Sequence, residues 1–240
     1  MPLFLRERRP SHELLDDERL PPEEMAASLR DLEHLNRRWG ASRALAAHLE
    51  PRMLREPRRS YALLDVGAGA GSVARSLTRR LRASGLDARV IAVDLQWRHL
   101  AAGHGRGKSA IPALCADAFC LPLAAGAVDW AVSTLFFHHF SPDENVRVLR
   151  ELARVARRGV AMLDVRRHVV PLLFVAIAGR LTFEADVSVQ DGQASVRQAY
   201  TPREALEIAA RALPGARTQT VFPFRLLVTA PSPSAGGSRP

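Results

Sequence analysis

The sequence predicts an α/β fold organised on a mostly parallel sheet, and three observations carry that prediction. From Tyr61 onward, short apolar runs alternate with amphipathic stretches of helical period, the pattern of parallel strands joined by crossover helices. The first run, YALLDV, ends beside Asp65 and opens directly into alternate glycines at Gly67, Gly69 and Gly71, followed by the helix-compatible SVARSLTRRL. Glycine in such a turn permits positive φ and close backbone approach, and the helix behind it offers unpaired N–H groups and a partial positive charge to an anionic ligand. The second run, Ala88–Val93, is closed by Asp94, so that carboxylates stand at the ends of two successive strands.

The 240 residues suit one domain with additions. The net charge of +9 is spread over the N-terminal, central and C-terminal thirds; nucleic-acid binding, which needs a clustered basic stripe, is not expected. The longest apolar run, Val169–Ala178, contains Pro171 and falls short of a membrane span, and residues 1–20 lack the apolar centre of a cleavable leader. A cytoplasmic protein is expected. Cys115 and Cys120 are too few for a disulfide framework or a zinc cluster and read as core or near-core thiols, and no metal site is assigned.

Residues 1–60 read as an N-terminal helical segment. Pro21 and Pro22 open a first helix with apolar residues at Met25, Leu29, Leu32, Leu35 and Trp39, ended by Gly40, and a second runs over Ala41–Leu54. Both are expected to pack on the sheet edge, and the first is also a candidate lid through Asn36, Arg37 and Trp39. Residues 61–230 form the main domain. Helix Ser72–Arg82 leads to strand Ala88–Val93. The stretch GHGRGKS, Gly103–Ser109, misses the phosphate-loop spacing because Ala102 stands where glycine is required, and reads as a basic surface loop.

Strands are expected at Ile111–Cys115, Ala127–Ser133 and Val160–Val165, with helix Asp143–Ala156 opened by the capping box Ser141, Pro142, Glu144. Residues 166–200 break the alternation and read as a cap insertion: an apolar helix over Val169–Leu181, then a hairpin turning at Asp191 and Gly192. Thr201, Pro202 and Glu204 cap helix Arg203–Leu213, and Arg217–Phe222 with Phe224–Thr229 form a closing antiparallel hairpin. Residues 231–240 are disordered by composition.

The ligand follows from the turn. A dinucleotide fingerprint would place its third glycine at Ser72, whereas the turn here is D-x-G-x-G-x-G. A carboxylate at Asp65 repels a pyrophosphate but attracts the ammonium of an amino acid, and an adenosine with an amino-acid tail, S-adenosylmethionine, satisfies both requirements. Asp94 is placed to hydrogen-bond both ribose hydroxyls. Leu95 is placed to lie on an adenine face, and Asp117 to accept the exocyclic amine beside Ala118 and Phe119.

Taken in order, Tyr61–Gly71, Asp94, Asp117 and the FFHHF that follows the fourth strand resemble the class I S-adenosylmethionine-dependent methyltransferases, over about residues 61–165 and, by architecture, 201–229. The resemblance implies a Rossmann-like, seven-stranded, mostly parallel sheet with the last strand antiparallel, carrying N-terminal helices and an inserted cap segment. It implies that Asp65, Gly67, Ala68, Gly69 and Gly71 hold the methionine part, Asp94 and Leu95 the ribose and adenine side, and Asp117 and Ala118 the adenine. Ser133 would receive the methionine amine through its carbonyl. FFHHF also looks like the corresponding motif of small-molecule methyltransferases of quinone and polyketide biosynthesis, with Phe137 in place of the usual aliphatic residue.

The expected reaction is methyl transfer to a hydroxyl of a small aromatic, polyketide-like or quinone-precursor acceptor in secondary metabolism. C- or N-methylation of a small molecule and a non-catalytic binding protein are the alternatives. Such a transfer leaves the protein to position the reactants and remove a proton, which a histidine accepts near neutral pH. His139 and His138 are the candidate bases; adjacent side chains diverge, so one of them faces the substrate, and His139 is placed first. Asp164, Arg166 and His168 are secondary candidates for orienting it. The apolar VVPLLFVAIAG segment suggests a greasy wall for the acceptor.

Overall fold

The computed structural model describes residues 5, 7–103 and 110–232. Its strands are β1 (Ser60–Val66), β2 (Asp87–Asp94), β3 (Ala113–Cys115), β4 (Val128–Thr134), β5 (Ala156–Val165), β6 (Arg217–Val221) and β7 (Arg225–Pro231). They form a seven-stranded sheet in the order β3-β2-β1-β4-β5-β7-β6. The first five strands run parallel, and β7 pairs antiparallel with both β5 and β6. The order reverses between β1 and β4, and a crevice opens at the carboxyl ends of strands where such a switch occurs. Asp65 and the glycine turn lie at that point.

The helices are α1 (Pro22–Arg38), α2 (Ala41–Leu54), α3 (Ser72–Ala83), α4 (Trp97–Gly103), α5 (Pro142–Val155), α6 (Val169–Thr182), α7 (Asp186–Gln198) and α8 (Pro202–Ala212). Successive residues of a strand point to opposite faces, and Leu63 and Leu64 divide accordingly. Leu64 joins the core under α5 and α8 with Leu149, Leu152 and Ile208, while Leu63 joins the core under α2 and α3 with Leu45, Leu49 and Leu77. β4 is buried at every position, as its central place demands. Both expected capping boxes are present, at Ser141 and at Thr201.

Several expectations require correction. The helical reading of residues 1–60 holds only from Pro22; upstream the described chain is irregular apart from a 3-10 turn at Leu14–Asp16. β5 begins at Ala156 rather than Val160. Cys115 and Cys120 are exposed, not core thiols. Residues 104–109 of the basic loop and 233–240 of the tail lie outside the described residues. Pro231 and Ser232, expected in the tail, belong to the fold: Pro231 ends β7, and Ser232 is buried and donates to Ala153 O at 2.7 Å. Among the described residues no helix is long and apolar enough to cross a membrane.

The hairpin expected at Asp191 and Gly192 does not exist, because both residues lie inside α7. The dipeptide carries other duties there. A Cβ on Gly192 would stand 3.0 Å from Val175, so this glycine permits close packing of α6 on α7. Asp191 accepts from the Leu14 and Leu15 amides at 2.8 and 2.9 Å. α7 has no side-chain cap of its own. Asp31 of α1 supplies one instead, accepting from the amides of Glu184 and Ala185 and from Ser188 Oγ at 2.7 Å.

Asp31 is buried, so its removal leaves those donors unmatched in the interior. Asp31→Ala is expected to lower unfolding free energy by about 1–3 kcal/mol, measured by urea denaturation, with the loss concentrated in amide-exchange protection of α7.

Candidate functional site

The carboxyl ends of β1, β2 and β4, together with residues 11–16 and α1, enclose a cavity of about 470 Å³. The glycine turn forms its floor. Gly67, Gly69 and Gly71 have φ of +69°, +54° and +70°, the left-handed region that side-chain-bearing residues avoid. The turn is closed by Gly71 N to Ala68 O at 2.8 Å and tied to β2 by Ala68 N to Val93 O at 2.9 Å.

Gly71 itself does not line the cavity. A Cβ there would meet Ile111 at 2.8 Å, so packing against the neighbouring segment explains it.

Asp65 is 1% exposed, and neither of its carboxylate oxygens has a hydrogen-bond partner. Burial, then the nearby Asp94, raise its pKa to about 7, with the Ala74 amide acting in the opposite direction. An unmatched acidic group at a cavity wall is a receptor for a donor-rich cation. Asp94 is bound into the turn: Oδ2 accepts from Gly69 N at 2.7 Å and Oδ1 from Gln96 N at 2.9 Å, with His99 Nδ1 3.5 Å away. Each oxygen keeps a lone pair for a hydroxyl. Leu95 stands at the rim, 66% exposed. Asp117 accepts from Phe119 N at 2.8 Å, which folds the Asp117–Ala118–Phe119 wall.

Ser133 does not line the cavity; its hydroxyl donates to Val66 O at 2.7 Å and locks β4 to β1. The next residue, Thr134, does line it, with a buried Oγ1 that has no partner. Leu135 follows with φ +55°, a strained conformation for a leucine, and strain of this kind concentrates at ligand sites.

The two histidines do not diverge as expected: both line the cavity with their rings stacked, but in different chemical situations. His138 is 1% exposed, with Nδ1 2.6 Å from Asp164 Oδ1, its backbone amide donating to Asp164 Oδ2 at 2.9 Å, and Nε2 3.1 Å from Glu13 Oε1. Burial alone would depress its pKa, but the charge and hydrogen bond of Asp164, joined by those of Glu13, raise it to about 10. His138 is therefore an imidazolium with both ring nitrogens engaged.

His139 is half-buried on the cavity wall, with Nδ1 3.2 Å from Asp16 Oδ2 and Nε2 3.8 Å from Glu13 Oε2. Its ring stacks on His138 at 4.4 Å.

Glu13 is the site residue that the sequence did not disclose. It also accepts from Ser195 Oγ at 2.6 Å and Gln198 Nε2 at 2.7 Å. Although burial pushes its pKa up, the hydrogen bond and charge of His138 prevail and hold it at about 2. The segment carrying Glu13 is fastened across the site by Arg8, which donates to His138 O and Phe140 O at 2.7 and 2.9 Å. Arg98 fastens it a second time, donating to Leu20 O at 2.9 Å. The only local hint was the acid-rich SHELLDDERL, and 125 positions separate Glu13 from its histidine.

The secondary candidates separate as well. Asp164 orients His138, whereas Arg166 and His168 turn toward Phe224. On α1, Asn36, Leu29 and Leu32 line the main cavity and Trp39 an adjoining one, while Arg37 is exposed.

Because the folded pKa of His138 is raised from about 6.5 to about 10, its contribution to stability is full below about pH 6.5 and is lost as pH rises through about 10. Thermal melting of the wild type is expected to fall across that alkaline window, and His138→Gln to melt lower at neutral pH with a flatter alkaline profile.

Residues 63–159 match a family model described as a methyltransferase domain. Three solved structures share the fold. A S-adenosylmethionine-dependent methyltransferase from Aquifex aeolicus is 23% identical, with 74% of this chain and 85% of that one covered at a TM-score of 0.53. Magnesium protoporphyrin IX methyltransferase from Synechocystis, solved with bound S-adenosylhomocysteine, is 14% identical, with coverage of 81% and 82% and a TM-score of 0.54. Human N-acetylserotonin methyltransferase, solved with S-adenosylmethionine, is 14% identical, with coverage of 71% and 47% and a TM-score of 0.53. No curated protein matches the chain. The matched segment contains Asp65, the glycine turn, Asp94, Asp117 and both histidines, and the sheet that carries it has the fold of these S-adenosylmethionine-dependent methyltransferases.

Proposed function

We propose that the chain is a S-adenosylmethionine-dependent methyltransferase that methylates a hydroxyl of a small aromatic, polyketide-like or quinone-precursor molecule, with His139 as general base. The observation that carries this reading is the asymmetry of the histidine pair. Both line the cavity that contains the glycine turn, but His138 is buried and already protonated between Asp164 and Glu13, whereas His139 is the more exposed of the two.

The residues present fit the cofactor. Asp65, with two unmatched oxygens, is suited to its ammonium, the backbone of Gly67–Gly69 to its carboxylate side, Asp94 to its ribose and Asp117 with Ala118 to its adenine. When bound, S-adenosylmethionine supplies an electrophilic methyl group on a sulfonium.

The protein's part is orientation, worth roughly 7–11 kcal/mol in well-aligned reactions, and proton removal. With Asp16 Oδ2 3.2 Å from Nδ1, we assign the Nε2 of His139 as the proton-accepting nitrogen. Once protonated, it faces Glu13 Oε2 at 3.8 Å, so two carboxylates hold the resulting cation. Phe136 and Phe140, their rings 4.8 Å apart, line this corner of the cavity together with residues of the strap. We assign residues 166–200 to the acceptor side: Pro171 and Val175 of α6 face the interior with Phe183 and Val165, an apolar wall that favours an aromatic or alkyl acceptor. Leu173, Ile177 and Leu181 of the same helix are exposed instead, so only one edge of the greasy segment serves the pocket.

His139→Gln is expected to lower kcat about 100-fold or more with unchanged cofactor affinity, in assays against a panel of phenols; equal loss from replacing Ser195 would remove the base assignment. Ionised Asp65 is the form that pairs with an ammonium. Cofactor affinity is therefore expected to rise with pH up to about 7, where Asp65 ionises in the free protein. Calorimetry in buffers of different ionisation enthalpy should detect the proton released on binding, and Asp65→Asn should abolish both effects.

A further inference from the structure

Beside the main cavity lies a smaller apolar one, between α1, α6 and α7. The two share Glu13, Leu15, Leu32, Leu135 and Ser195 as a common wall. Most polar groups facing the smaller cavity are already matched. Asp31 has three donors, Asp191 has the amides of Leu14 and Leu15, and Glu13 has His138, Ser195 and Gln198.

Arg225 is the exception. It is 2% exposed and fixed on β7 opposite Val165 of β5. Its Nη2 donates to Asn36 Oδ1 at 3.0 Å, and its Nη1 has no hydrogen-bond partner. Among the described residues lining this cavity, it alone carries an unmatched buried side-chain atom. A guanidinium cannot meet its needs by losing a proton, and its place on a strand prevents it from swinging to solvent. Burial lowers its pKa to about 10, against the opposing pull of Asp164, which leaves it charged at neutral pH.

An unmatched cation donor in an apolar pocket is complementary to an anionic oxygen carried on an apolar body. We propose that Arg225 is a specificity-determining residue that binds an anionic oxygen, a carboxylate or an enolate, of an aromatic or alkyl acceptor whose other hydroxyl is methylated. Arg225 lines the pocket with Nη1 buried and unmatched, and Asn36 accepts from Nη2. Neutral apolar molecules of the same shape leave Nη1 unmatched and bind more weakly. This inference rests on the hydroxyl-methylation reading for the identity of the ligand as acceptor, but not for the binding of the anion.

The test uses the full chain loaded with S-adenosylhomocysteine and titrated by calorimetry with 4-hydroxybenzoate, 4-hydroxycinnamate and 6-hydroxy-2-naphthoate, each beside its methyl ester. At least one acid is expected to bind about tenfold or more tighter than its ester. Arg225→Gln should erase that preference, and Arg225→Lys should retain part of it. Asn36→Asp supplies the missing anion from inside the protein and should erase the preference with β7 untouched, which decides the matter if Arg225→Gln does not fold. A cooperative melting transition and retained S-adenosylhomocysteine binding certify that each variant is folded. A wild type with no preference for any acid over its ester, or a preference that survives both Arg225→Gln and Asn36→Asp, overturns the proposal. Acid binding that depends on Arg225 without any methylated hydroxyl product leaves this inference standing and overturns the hydroxyl reading instead.

Discussion

The Glu13–His138–Asp164 clamp is the interaction on which the arrangement of the site depends. A buried cation is held between two buried carboxylates contributed by three distant parts of the chain: the N-terminal strap, the turn after β4 and the end of β5. Removing any one member strands a charge in the interior, which is far more unfavourable than losing a surface ion pair. The clamp engages both ring nitrogens of His138, which is why the proposed mechanism gives the base role to His139. With His138 committed to structure, its neighbour is pushed against the cavity by ring stacking and steadied by Asp16. On the proposed reading one dipeptide supplies both an anchor and a base.

The electrostatics of the main cavity follow from the same economy of charge. Asp65, Asp94, Asp16 and Glu13 all face it, and a wall with that excess of carboxylates suits a cofactor that carries a sulfonium and an ammonium. After transfer the sulfonium charge is gone, so the field that favours the reactant no longer favours the product to the same degree. Asp65 is held close to neutrality by burial and by Asp94 and adapts its charge to the state of the site.

The sheet and the cofactor side were legible in the sequence because their signals are local. Strand, acid, glycine turn and helix occupy a dozen consecutive residues, and Asp94 and Asp117 each end a recognisable apolar run. Ser141 and Thr201 announced their helices through capping boxes that span four positions. The covering elements were not legible, because their determinants are tertiary. α7 is capped by an aspartate more than 150 residues away, and its Asp191–Gly192 pair, which reads as a turn, serves instead to receive the strap and to admit α6. Glu13 sits in a charged stretch with no periodicity, and only the fold brings it to His138. Ser133 and Thr134 show the limit even within a strand: the sequence reading named Ser133, whereas Thr134 lines the cavity and Ser133 does not.

Asp31 joins two pieces of the cover directly, since it belongs to α1 and terminates α7. α7 in turn grips the strap through Asp191. Strap, α1 and α7 are thereby linked in series above the cavity, so that none can lift without disturbing the next. Opening of this three-part roof would have to break buried hydrogen bonds at Asp31 and Asp191, which ties access to the cavity to contacts well away from the glycine turn.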